Sequence, residues 1–320
     1  MEERVGGGVL PNKAAERDWP RMDPPNVLWF GGAIATAFAV NVLVDTVSGA
    51  HNGLWQFLTA LGFLLGFAAA ARFLLQRWWW VPGGLAAALA VASFPGVAIG
   101  FLKLVDLWPD DPFFDPLEDF SGWPFGVALA TAAVGLAAFL LTRFSFILAV
   151  VATAILVASQ LLAPAFDSPP SGDDRAGLGL FFGAALVVVG IFLDAFSRRR
   201  DAFWFHVLGW FSAAAGLVFF TVDPSGDHDR GWIPILIVGI LLLLLSGPVR
   251  RATWAVYGGL GYYAAVLHYL INATDEDSWP FAVWLLVVAL SIFVLGMVLH
   301  RYGEPLSRRF VRRPPPAAPL

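Results

Sequence analysis

The sequence predicts an all-α integral membrane protein with ten transmembrane helices, N-in/C-in, and a parallel duplication of a four-helix unit. Three observations carry that prediction. The 320 residues are 58% hydrophobic and only 14% charged, against about 25% charged in a typical soluble domain. The deficit is concentrated in charge-free runs such as Val127–Leu141, Ile147–Leu162 and Ile233–Leu245. The basic residues gather in alternate loops between such runs. Runs near 18–20 apolar residues cross the roughly 30 Å hydrocarbon core as helices. Backbone groups in lipid must pair within their own segment, which selects helix. The period-2 alternation of a membrane β-barrel is absent.

Ten spans follow in order: 27–47, 54–75, 81–105, 124–142, 145–163, 177–196, 203–222, 232–249, 252–272 and 280–300. Between the fourth and fifth, Thr142-Arg143-Phe144 must make a very tight turn. A single helix from Trp123 to Leu162 would overshoot the bilayer about twofold. Pro124 and Pro280 fall in first turns, where a missing N–H costs nothing. Pro95-Gly96 lies within the third span and predicts a kink there.

With ten passes and a cytoplasmic N-terminus, 17 of the 20 basic residues fall on the cytoplasmic side. Only Lys103, Arg175 and Arg230 fall on the other, the asymmetry of the positive-inside rule. The opposite loops are acidic, with Asp110, Asp111, Asp115, Glu118 and Asp119 in the longest of them. The first 26 residues contain no apolar h-region and do not read as a cleaved signal peptide. The Pro-rich end after Arg312-Arg313 reads as a disordered tail whose arginines sit against anionic lipid.

Three landmarks recur in the same order. Ser48-Gly49-Ala50-His51-Asn52-Gly53-Leu54-Trp55 returns as Ser225-Gly226-Asp227-His228-Asp229-Arg230-Gly231-Trp232, sharing S-G-x-H-x-x-x-W. Trp79-Trp80-Val81-Pro82-Gly83-Gly84-Leu85 is echoed by Trp254-Ala255-Val256-Tyr257-Gly258-Gly259-Leu260. Trp123-Pro124-Phe125 is echoed by Trp279-Pro280-Phe281. These echoes pair the first four spans with the last four as a parallel repeat. The expected layout is a cytoplasmic tail 1–26, a first four-helix repeat 27–143, two linking helices 144–200, a second repeat 201–303 and a cytoplasmic tail 304–320.

Two clusters are the candidate sites. At the outer mouth, Asn41 and Asp45 share a helix face that leads to His51. In the second half Asp223, Asp227 and Asp229 surround His228. Two imidazoles with several carboxylates can bind a divalent metal or relay protons. Their spacing is no zinc signature, and the plain alternative is turn and cap geometry with interfacial Trp anchors. The second candidate is one face of the ninth span, with Tyr257, Tyr262, His268, Tyr269 and Asn272 opposite Val266, Leu267, Leu270 and Ile271. A polar, small-residue face on a spanning helix turns toward protein or a cavity.

The junction Arg198-Arg199-Arg200-Asp201-Ala202-Phe203-Trp204-Phe205-His206 satisfies topology with its arginines, and Asp201 is placed to cap the next helix. His206 lies one turn inside. This junction resembles a basic-Asp-x-x-Phe-Trp-x-His stretch of uncharacterised bacterial multi-pass membrane proteins. The resemblance implies a bacterial inner-membrane protein and carries no catalytic residues.

Cysteine is absent, so disulfides and thiolate chemistry are excluded. There is no P-loop, H-E-x-x-H or G-x-S-x-G, and no basic soluble domain for nucleic acid. No cofactor or metal is expected. The partner is the lipid bilayer. Three functions compete: handling of a small solute, ion or lipid; a non-catalytic scaffold or sensor; and a membrane enzyme using the His/Asp cluster.

Overall fold

Helices form where the charge-free runs lie. The computed structural model describes residues 24–48, 53–109, 115–222, 231–249 and 251–273, together with 280, 281, 283, 284, 286–288, 290, 291 and 294. Nine helices follow in chain order: α1 (Pro24–Ser48), α2 (Gly53–Gln76), α3 (Trp80–Leu104), α4 (Gly122–Thr142), α5 (Ile147–Leu161), α6 (Gly172–Ala195), α7 (Arg199–Val222), α8 (Trp232–Val249) and α9 (Ala252–Ala273). A 3-10 turn, Ala163–Ala165, continues α5. The described positions from 280 onward are helical as well. The described chain is all-α.

The ten-pass expectation is corrected. Among the described residues six helices, α2 to α7, are long and apolar enough to cross a membrane. In α1 and α8 the described residues include the shorter apolar stretches Leu28–Val44 and Trp232–Gly247. In α9 composition decides: Tyr257, Tyr262, Tyr263, His268, Tyr269 and Asn272 dilute its apolar residues. The tenth expected span lies largely outside the described residues. The chain is therefore a polytopic, multi-pass membrane protein. Assignment of both termini to the cytoplasm required alternation through ten passes and loses its premise. The parallel duplication of a four-helix unit rests on the same ten passes and loses that support.

Helix starts and stops have local causes. Ser171 and Asp174 form a capping box, with Ser171 Oγ accepting from the Asp174 N–H at 3.1 Å and Asp174 Oδ2 accepting from the Ser171 N–H at 3.0 Å. That box starts α6 five residues before the apolar run does. The tight turn after α4 forms as expected. Arg143 takes a left-handed conformation at φ 55° and its N–H donates to the Phe139 carbonyl at 2.7 Å. Trp78, Asp106 and Ser197 are also left-handed, each just past a helix end. At Ser197 the closing bonds run from the Ser197 N–H to the Asp194 carbonyl and from the Arg198 N–H to the Leu193 carbonyl, both 2.9 Å. This is the Schellman closure, made here without the usual glycine.

The chain divides into two compact units, Met1–Asp174 with Ala185–Gly209, and Arg175–Ala184 with Trp210–Leu320. In the first, α2 and α3 form an antiparallel hairpin. A Cβ on Gly100 would stand 2.5 Å from the Phe57 nitrogen, so the two backbones touch there. Gly96 meets Ala60, which is fully buried, on the turn after Pro95. The main core collects Leu85, Val91, Phe139, Phe144, Ile147 and Phe205. In the second unit, Gly239 of α8 faces α9 so closely that a Cβ would lie 2.7 Å from the Tyr262 nitrogen. Leu217, Ile235 and Ala265 form the core there. Such small-residue contacts let helix backbones approach where lipid removes the hydrophobic drive.

Candidate functional site

The proposed outer mouth is mostly out of reach. His51, Asp223, Asp227, His228 and Asp229 lie outside the described residues. Asp45 lies in α1, and Asn41 is exposed there, its Nδ2 donating to the Ala37 carbonyl at 2.8 Å. Among the described residues no three His, Cys, Asp or Glu side chains assemble a metal site.

The α9 face is described throughout. Tyr257 is half-buried. Tyr262 OH lies 3.2 Å from Ser291 Oγ. His268 stacks on the Trp232 indole of α8, with ring centroids 4.3 Å apart and an interplanar angle of 11°. Asn272, one turn on, places its Nδ2 3.1 Å from His268 Nε2. Tyr269 packs edge-on to His268 at 5.4 Å, and its buried hydroxyl has no partner among the described residues. The sequence pattern grouped these residues on one face. It did not show Trp232 as the surface that His268 lies on.

A tighter constellation occurs in the first unit, where the sequence placed only an interfacial junction. His206 of α7 is fully buried, and its Nε2 lies 2.9 Å from Asp194 Oδ2 of α6. The local fold explains the meeting. The turn at Phe196–Arg198 reverses the chain and lays α7 along α6, so that His206 comes level with Gly190, within reach of the Asp194 carboxylate one helical turn nearer the reversal. Gly190 stands one turn before Asp194 and supplies the floor. A Cβ there would come within 3.1 Å of the imidazole Cε1 and Nε2. The bare backbone lets the ring approach α6 more closely than a side chain there would allow without displacing it by a few tenths of an ångström.

Charge surrounds the turn. Arg198 donates through Nε and Nη2 to Asp201 Oδ2 at 2.7 and 2.5 Å. Asp201 is thus in the first turn of α7 and engaged by Arg198, rather than capping the helix. The Arg198 guanidinium also sits over the Phe139 ring at 5.5 Å, a cation–π contact. Trp204 packs edge-on against Phe146 at 5.0 Å. These contacts fix the register of α7 and so hold His206 opposite Asp194.

Chemically, an imidazole nitrogen out of solvent lies within hydrogen-bond distance of a carboxylate oxygen. Such a bond strengthens when the imidazole is charged and weakens when it is neutral. The sequence signal available was the twelve-residue separation of Asp194 and His206 about a basic turn. It was readable only with the turn position known.

No family model matches the chain, and neither curated proteins nor solved structures give a match. The resemblance at Arg198–His206 therefore has no relative to rest on.

Proposed function

We propose that this multi-pass protein handles a small solute or ion in a proton-linked manner, with Asp194–His206 as the proton-binding element. The observation that supports it is a fully buried imidazole bonded at 2.9 Å to a carboxylate between two membrane-crossing helices. Ionisable groups are expensive at membrane depth, and where they persist they mark proton relays and ion paths. Histidine changes charge closest to neutral pH of all side chains. A proton gained by the imidazole turns a hydrogen bond between a neutral ring and a carboxylate into an ion pair and tightens α6 against α7. Its loss loosens them. A solute bound against either helix is then coupled to the proton through that contact.

The test is proteoliposomes with an entrapped pH dye, loaded with candidate solutes or ions on one side. Wild-type protein is expected to move protons together with a solute, and His206→Gln to abolish the coupling. The reading is overturned if wild-type vesicles show no proton movement beyond that of empty ones, or if His206→Gln behaves as wild type.

A further inference from the structure

A second feature of the first unit lies apart from the His206 pair. A groove of 660 Å³ opens between α2 and α4 with α3 as its floor. Its volume is that of a small-molecule site. The α2 wall runs from Leu64 to Gln76 and the α4 wall from Val134 to Thr142, with Ala87 and Ala90 between. Small residues make the hollow: Ala68, Ala87, Ala90 and Ala138 leave space that larger side chains would fill.

The groove is polar at one end only. Arg72, Gln76 and Thr142 stand together at the C-terminal ends of α2 and α4. Everything toward Leu64 and Val134 is apolar. From Leu64 to Gln76 the helix rises about 18 Å, close to half of the roughly 30 Å hydrocarbon core. The trough thus has the length of one leaflet, with its cationic end where headgroups lie. Thr142 Oγ1 is already committed, donating to the Ala138 carbonyl at 2.8 Å. Arg72 is exposed and has no ion-pair partner among the described residues. Arg77, one turn on, is occupied differently, its guanidinium lying 4.2 Å over the Phe73 ring.

We infer that this groove is a binding site for one glycerophospholipid, with an acyl chain along the Ala68–Ala90–Ala138 trough and the phosphate on Arg72. An exposed guanidinium offers donors that match phosphate oxygens. The apolar length excludes free phosphate as the occupant, and the cation selects a phosphate-bearing lipid over a neutral one of the same chains. The site is independent of the proton-linked reading, and its test does not use transport.

The experiment is native mass spectrometry of the full chain, released from micelles doped with equal amounts of phosphatidylglycerol and of diacylglycerol carrying the same chains. The wild type is expected to retain one phosphatidylglycerol in preference to diacylglycerol. Arg72→Gln should lower that retention about tenfold, the loss of one charge-assisted contact. Ala68→Trp, on an exposed position, should block the trough and displace the lipid with Arg72 intact. Arg77→Gln should leave retention unchanged. Equal retention of the two lipids overturns the inference. So does wild-type retention by Arg72→Gln, since that exposed side chain can be replaced without disturbing the core.

Discussion

Two histidines sit on two helical hairpins and are held in opposite ways. His268 is half-buried, stacked on Trp232 across α8 and α9, and bonded to Asn272 of its own helix. His206 is fully buried, set on the bare backbone of Gly190, and bonded to a carboxylate on the neighbouring helix. The first is placed by aromatic area and by a bond within its own helix. The second is placed by a carboxylate on the neighbouring helix. Burial alone does not make a histidine consequential. What matters is whether its partner belongs to another helix and can itself ionise.

The contrast breaks most strongly at His206. Replacing it with Ala removes the bond from the imidazole to Asp194, at a cost of about 3 kcal/mol, the low end for a broken buried pair because Asp194 keeps 19% of its side-chain exposure. Thermal unfolding in detergent reads this. A double-mutant cycle with Asp194→Asn sharpens it. Neutral interhelical hydrogen bonds couple by about 0.6 kcal/mol and rarely above about 1.7 kcal/mol, so a larger coupling identifies an ion pair.

Gly190→Ala is next. Its Cβ would press on the imidazole at 3.1 Å, and overpacking of this kind costs about 1–3 kcal/mol. The loss should shrink in the His206→Ala background, where the ring is gone. Additive losses would show that Gly190 serves helix packing and not the imidazole. At the other histidine, Trp232→Leu should cost about 1 kcal/mol of stacking, visible as a small fall in melting temperature with the His206 coupling unchanged. Asn272→Ala should be smallest, at about 0.5 kcal/mol or less, since its bond to His268 is exposed.

How much of this was legible can be argued residue by residue. The runs around Val127–Leu141 and Ile147–Leu162 announced α4 and α5, and the turn at Thr142–Phe144 followed from bilayer thickness alone. The α9 face was legible because residues on one helix obey a fixed period. The number of passes was not. A weakly charged helix and a membrane-crossing helix are not one thing, as the tyrosines, His268 and Asn272 of α9 show. The echoed Trp and Gly-Gly landmarks coincide with helix starts at Trp80 and Ala252.

The sequence by itself determined helix against strand, the approximate ends of the helices and the commitment to lipid, because these follow from local periodicity and from the cost of unpaired backbone in hydrocarbon. The pairing of His206 with Asp194 and the hollow beside Arg72 were decided only by tertiary structure. Both depend on which faces of neighbouring helices meet. That is set by where Ser197 turns the chain and where Gly190, Gly100 and the alanines of α2 to α4 let backbones approach or leave room. A one-residue change in those turns rotates a helix by about 100° and would send either side chain elsewhere.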